Sequence, residues 1–397
     1  MPVRSNVGAS SGEDSYVVGV EASQAALAGL QSPRLFLVFS SARYDQEGVL
    51  RGVRSVVGAE ALIAGCTTAG EIATQGPLER ASVVVMALEL EGVRAAVGVS
   101  NAVAQDARQA GAQAAQSVRE QLGEDPVFAI MFPDVIVGNG SDVVRGVLDA
   151  LGEHFPVVGG APGDDYQFVR TYQYANDTII SGGVVVVGFA GDLAFGVGVK
   201  HGWAPISRPH KVTRAQGATI YEIEGKPAVW LYEDYLGPER ASAIREGTLA
   251  QLAVTYPLGF QDPRSSEYII RDPLKVQKDG SLVCAGEIPE GAEVFLMLGS
   301  RDAAIEVARR AGEEARKSLG DREPHALIIF NCIARKKVLG EDGGVEIRAI
   351  QEGVGAAVPT IGFYTYGEQA PIDGQVRDIK RCNAAFHNET VVVALLS

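Results

Sequence analysis

Three glycine-bearing loops with acidic ends hold most of the side chains in this chain that could do chemistry. The first reads Gly65-Cys66-Thr67-Thr68-Ala69-Gly70-Glu71 and the second Gly159-Gly160-Ala161-Pro162-Gly163-Asp164-Asp165. The third reads Gly362-Phe363-Tyr364-Thr365-Tyr366-Gly367-Glu368. Arg43 and Arg335 lie just past two apolar runs that end at Phe39 and Phe330. Brought together, these segments would combine guanidinium, hydroxyl, backbone N–H and carboxylate groups. That mixture suits a small zwitterion, because arginine forks a carboxylate while Glu or Asp accepts from an ammonium. On this reading Arg43 and Arg335 take the anionic end, Glu71 and Glu368 meet the cationic end, and the N–H groups of Gly65 and Gly362 complete a cup. Cys66, Thr67, Thr68, Gly160, Asp164, Cys332, Tyr364 and Tyr366 would line it. The plain alternative is that the glycines only make turns and the charges only solvate loop tips.

Signatures of catalysis are largely absent: there is no GxSxG elbow, Walker loop, HExxH or metal-type Cys/His spacing. Cys332 would become a nucleophile if His387 lay beside it, and Cys66 is a second candidate thiolate, but a buried cysteine is more often inert packing. His201 and His387 each sit beside aromatic residues near strand ends, so either could ligate haem iron if it faced an apolar slot. A hydrogen-bonded structural histidine is the commoner outcome. The expectation is therefore a chain with no catalytic residues, no metal and no cofactor, with haem as the alternative.

The loops need elements to position them, and these recur. Leu35 to Phe39, Phe128 to Phe132 and Leu327 to Phe330 read as strands buried on both faces, each followed by a helix and a strand that leads into a Gly loop. Asp45 suits a helix cap and Gly58 a helix stop. Alanine-rich stripes at Ala107, Ala110, Ala114, Val118 and Leu122, and at Ile305, Ala308, Ala311, Ala315 and Leu319, predict helices packed close to a sheet. Residues 1 to about 15 read as a loose tail, and Val17 to Val20, Ala96 to Val99 and Val294 to Gly299 as the strands that open the three copies. Ala81 to Leu90 with Val93 to Val99, and Gly183 to Phe189 with Leu193 to Val199, read as hairpins turned at Glu91-Gly92 and Gly191-Asp192. The fold class is α/β: mixed sheets from three repeated β-α-β-α-β plus hairpin units, with a β-rich insert between the second and third.

The chain has 397 residues, 46% hydrophobic and 21% charged, enough for two or three domains with their own cores. A formal charge of −14 opposes a nucleic-acid partner, since phosphate binding needs a basic surface. No apolar run approaches a membrane span, the N-terminus lacks a signal-peptide core, and the four cysteines form no CxxC pair. The expectation is a cytoplasmic protein with free thiols and no membrane insertion.

Several stretches, in order, resemble the FIST sensory family. They are the first Gly loop, Val158-Gly159-Gly160-Ala161-Pro162-Gly163-Asp164-Asp165, His201-Gly202-Trp203 leading to Val212-Thr213, Phe330-Asn331-Cys332-Ile333-Ala334-Arg335-Lys336, the third Gly loop, and His387-Asn388-Glu389-Thr390. The resemblance implies a FIST N-terminal domain over residues 15–228 and a C-terminal one over 229–397, whereas the repeat itself places a boundary near 200. It further implies a sensory module of bacterial signalling that binds a small ligand such as an amino acid. Its partner would be a separate histidine kinase, chemoreceptor or cyclic-dinucleotide enzyme. Some members are described as haem-binding nitric oxide sensors that regulate a histidine kinase, which implies His387 or His201 as the iron ligand. A thiol-dependent enzyme is the third reading.

Overall fold

Helix starts in the repeats are set by short polar caps. The carboxylates of Asp14, Asp45 and Asp106 accept from the N–H groups of Tyr16, Gly48 and Gln109, at 2.9, 3.1 and 2.9 Å. Asn139 and Ser300 do the same for Ser141 and Ala303. Each cap satisfies a donor that the helix itself leaves open. In the computed structural model, which describes residues 3–78, 80–237, 244, 249–262, 265, 267–374, 376 and 382–397, these helices lie outside three mixed sheets.

Each of those sheets has six strands in one repeated order. The first runs Val3–Ser10, Val83–Leu90, Leu35–Ser41, Leu62–Thr68. The second runs Val93–Ser100, Val184–Gly191, Phe128–Pro133, Val157–Gly160, and the third Phe195–Lys200, Val391–Leu396, Ala326–Cys332, Thr360–Thr365. Within each quartet only the last two strands are parallel, as a helical crossover between them requires. A short hairpin from another unit then completes each sheet. Gln173–Ala175 and Thr178–Ile180 extend the first, Glu368–Pro371 and Ala384–His387 the second, and Glu71–Ala73 and Gly76–Pro77 the third. This cyclic exchange gives a pseudo-threefold body whose inner sheet faces share one apolar core. At its centre Phe39 meets Phe363 at 4.6 Å and Phe132 at 5.7 Å, and Phe330 meets Phe363 at 5.7 Å. Full burial of such a ring contributes about 1.5–3 kcal/mol relative to exposure.

The α/β class with mixed sheets and triplicated units stands, but four details differ from expectation. Val17 to Val20 is not a strand: it lies in the helix Ser15–Ala26, begun by the Asp14 cap. The expected loose tail instead supplies the opening strand Val3–Ser10, paired over eight positions with Val83–Leu90. Neither expected hairpin forms. Val83–Leu90 and Val93–Ser100 belong to different sheets, as do Val184–Gly191 and Phe195–Lys200, so those tight turns pass the chain from one unit to the next. Lastly, Glu293–Gly299 is not the opening strand of the third unit but part of a nine-stranded sheet in the insert. The opening strand is Phe195–Lys200, so the insert departs and returns inside the third unit.

Glycine marks the tightest contacts in all three units. The two helices of each unit cross at reciprocal glycines: Gly19 on Val49 and Gly52 on Tyr16, Gly111 on Val143 and Gly146 on Arg108, Gly312 on Ile350 and Gly353 on Arg309. At each, a Cβ would overlap the opposing helix carbonyl. Gly146→Ala is therefore expected to destabilise by about 1–3 kcal/mol through overpacking. Gly344→Ala is the control, since nothing lies nearer than 3.5 Å to its added carbon. Urea unfolding of the two variants checks the contrast, and equal midpoints would contradict it.

Candidate functional site

The Gly loops do converge, at the end of the body where the parallel strands finish. Ala69 N–H donates to Tyr364 O at 3.0 Å and Tyr364 N–H to Gly70 O at 2.8 Å. Ala161 N–H donates to Gly367 O at 2.8 Å, Tyr366 N–H to Ala161 O at 3.1 Å, and Gly163 N–H to Thr67 O at 3.0 Å. The loops bond one another directly, so their backbone groups close the junction instead of forming an open cup. Gly65 and Gly362 sit in the parallel strands, where a Cβ would strike the backbone of Val38 and Ile329. Their role is close strand approach. Gly160 likewise makes room for Phe363 and Phe330, at 2.9 and 3.0 Å from its absent Cβ.

Glu71 and Glu368 occupy equivalent places, each on an exchanged hairpin, paired across from Phe363 and Gly160. Thr68 donates to Glu71, and Ser82 Oγ donates to its other oxygen at 2.5 Å. Thr365 and Thr390 N–H do the same for Glu368, the latter at 3.1 Å. Burial nevertheless pushes Glu71 up to about 7 and Glu368 up to about 8, against their hydrogen bonds. The third equivalent is Gln173, across from Cys66, and not Asp164. Asp164 holds the second loop: it accepts from the N–H groups of Phe168, Val169 and Arg170 and from Tyr366 Oη at 2.5 Å. Despite burial, those bonds keep its carboxyl below the usual range. Thr67 Oγ1 accepts from Tyr172 N–H at 3.0 Å.

The two arginines do not share a cup. Arg43 is exposed and pairs with Asp165 at 3.3 Å. Arg335 is fully buried, forked on Glu346 at 2.6 and 2.8 Å. Tyr364 is buried beneath Lys336, whose Nζ lies 4.9 Å from the ring centre. Cys66 lies in the central core and Cys332 at the start of helix Ile333–Leu339, and burial pushes both thiols well up. Neither has the environment of a nucleophile.

A second cluster, which the loops did not reveal, lies where the insert meets the third unit. Asp272, between insert strands Tyr268–Arg271 and Pro273–Val276, faces Glu389 in the turn before the last strand. The two carboxyls are within hydrogen-bonding reach, so one of them must hold a proton. Burial pushes Asp272 up to about 6, and burial plus Asp272 pushes Glu389 well up. Beyond that shared proton, no donor among the described residues reaches Glu389 Oε1 or Oε2, Asp272 Oδ1 or Asn388 Oδ1, although Glu389 is 0% and Asn388 2% exposed. Glu368, Cys332 and Arg335 border the pair. Glu389 also has a left-handed backbone, φ 55°, rare for a side-chain-bearing residue. His387-Asn388-Glu389-Thr390 was the only sequence signal for this cluster; Asp272 had none.

Both histidines of the haem alternative are hydrogen-bonded at one ring nitrogen: His387 Nε2 lies 3.0 Å from Ala370 O and His201 Nδ1 accepts from Trp203 N–H at 3.0 Å. Burial, then Arg271 near His387 and Arg335 and Lys200 near His201, pushes each down to about 4. Among the described residues no group of three or more His, Cys, Asp or Glu could hold a metal ion, and no helix is long and apolar enough to cross a membrane.

Comparison with known proteins agrees with the sequence resemblance. The family model described as FIST N domain matches residues 34–226, and that described as FIST C domain matches residues 228–371. The junction between the two matches falls inside the insert. "Uncharacterized protein MJ1623" of Methanocaldococcus jannaschii is 25% identical over 326 residues, covering 78% of this chain and 61% of the relative. "Uncharacterized protein Rv0628c" of Mycobacterium tuberculosis is 28% identical over 243 residues, covering 60% of each. The chain thus spans about three fifths of the length of these curated relatives. Among solved structures, cyanuric acid hydrolase from A. caulinodans aligns over 99% of both chains at 11% identity and TM-score 0.40. A chorismatase aligns over 99% of this chain and 98% of its own at 10% identity and TM-score 0.36.

Proposed function

Since this chain belongs to the FIST family of signal-transduction sensor domains, we propose that it binds a small polar metabolite with an ammonium group, such as an amino acid, and signals to a separate output protein. One observation carries the reading: among the described residues, buried acceptors of Glu389, Asp272 and Asn388 gather at one seam and outnumber the one proton the two carboxyls share. An unmet buried acceptor costs about 1–3 kcal/mol, and a ligand ammonium would remove that cost several times over. Glu368 borders the same seam, its own oxygens held by Thr365 and Thr390. The seam joins two bodies, the insert and the third unit, so a ligand that prefers one arrangement of them would shift their equilibrium. A histidine kinase, a chemoreceptor or a cyclic-dinucleotide enzyme would read that shift. Four buried free thiols suit a reducing cytoplasm.

Calorimetry against an amino-acid panel tests this. At least one member should bind the native chain, and Glu389→Gln should weaken it at least about tenfold, or ~1.4 kcal/mol, with a urea midpoint no lower than the native chain's. No heat from any member with folded protein, or an affinity indifferent to Glu389→Gln, would remove the reading. Burial pushes the Cys66 and Cys332 thiols well up, which favours binding over turnover through a thiolate.

A further inference from the structure

The second Gly loop continues into a tip that the ligand seam does not use. Phe168 is 52% and Val169 75% exposed, beside the half-exposed ring of Tyr166. Apolar groups at the surface are ordinary when scattered, but these are adjacent and held in place. Asp165, Tyr166 and Phe168 all have left-handed backbones, φ 56°, 64° and 51°. That conformation is unfavourable for each and persists only when its surroundings over-determine it. Here they do. Asp164 gathers three N–H groups of the tip at 2.8 to 2.9 Å. Tyr366 Oη accepts from Tyr166 N–H at 2.7 Å, and its ring stacks under Phe168 at 4.4 Å. Tyr166 Oη donates to Ile333 O at 2.8 Å. The tip is thus presented rigidly by one unit and braced by another, and a preorganised apolar anchor loses little entropy on docking.

The charges around it select the occupant. Arg43, Arg170 and Lys336 lie around the tip, three cations against two carboxylates: Asp164, which the tip's own N–H groups hold, and Asp165, which Arg43 meets at 3.3 Å. This is a basic rim on a chain of net charge −14. A second copy docking tip to tip would set like charges against each other. An anionic bilayer would meet far more of the acidic surface than the rim can offset. A compact protein pocket touches only the tip and its rim, and charges beyond about 8 Å are screened at physiological salt. We propose that Phe168 and Val169 form the docking tip for a partner protein that offers an apolar pocket edged with carboxylates. The proposal does not depend on the ligand seam.

The test places a photo-crosslinking amino acid at Val169 of the full chain, and separately at Val127, which is 37% exposed just before the strand Phe128–Pro133 at the opposite end of the parallel strands, in cells of the native host. Position 169, and not 127, should give an adduct with another protein, mapped by mass spectrometry to an apolar segment flanked by Asp or Glu. Phe168→Ser and Arg170→Glu, each with an unchanged urea midpoint, should lower its yield at least about tenfold, the size expected for one interface anchor or charge pair. The proposal falls if the adduct is a second copy of this chain. It falls equally if vesicles with anionic lipid bind the native chain but not Phe168→Ser, if the mapped segment lacks acidic residues, or if position 169 gives no more adduct than position 127.

Discussion

Arg335→Met is expected to destabilise the protein by about 3–5 kcal/mol, the range for removing one partner of a buried ion pair. The guanidinium is fully enclosed and makes more than its fork on Glu346. It also donates to the carbonyls of His201, where the chain leaves the third unit for the insert, and of Ala304, just after it returns. Trp203 lies over it at 5.7 Å. Arg335 therefore pins both ends of the insert's excursion, and Asn331 Nδ2 steadies the far oxygen of Glu346 at 2.6 Å. Loss of the cation would strand a carboxylate and two carbonyls in a dry interior. Lysine should not rescue, because an ammonium cannot form the planar fork. Arg335→Met with Glu346→Leu should recover much of the loss, since the pair as a whole is nearly neutral while half of it is costly. Urea unfolding gives the energies, and hydrogen exchange should show residues 203–216 opening first in Arg335→Met. A midpoint within the error of the native chain would mean the pair is replaceable by water.

The same residue shows what sequence could and could not convey. Its position after an apolar strand marked Arg335 as important, but whether it meets a ligand or Glu346 depends on a helix eleven residues later, a contact no local pattern encodes. Local signals were dependable where local physics decides. Asp45 and Gly58 bound their helix as expected, and the alanine stripe from Ala110 to Leu122 is the buried face of its helix. The repeat alone leaves convergence of the Gly loops open, and the exchanged hairpins bring it about. Sheet membership did not, because a Glu-Gly or Gly-Asp turn looks the same whether the next strand folds back or crosses to another sheet. Val3–Ser10 was missed because a half-buried strand rich in serine has little apolar pattern. Asp272 and Glu389 lie more than a hundred residues apart, and only the docked insert makes them one site.

Acidic groups held neutral by burial predict an unusual pH profile. A carboxyl whose folded pKa is raised binds its proton in the native state at pH values where the unfolded chain has released it. By linkage, stability then falls as pH rises, from the unfolded value up through the folded one. Glu71 and Glu368 go from 4.5 to about 7 and about 8, and Asp272 from 3.8 to about 6. His201 and His387 act in the opposite sense. Their folded values of about 4 lie below the unfolded 6.5, so they add stability as pH rises from 4 to 6.5 and nothing further beyond. The two trends oppose each other below pH 6.5, which leaves a shallow profile there. Above it only the glutamates still titrate, and between pH 6.5 and 8 they should cost about 2–3 kcal/mol. Glu71→Gln with Glu368→Gln should remove most of that slope, and Glu389, also raised, accounts for what remains. A native urea midpoint that stays level or climbs across this interval would mean that these carboxyls are already ionised in the folded protein, and that water or a counter-charge reaches them.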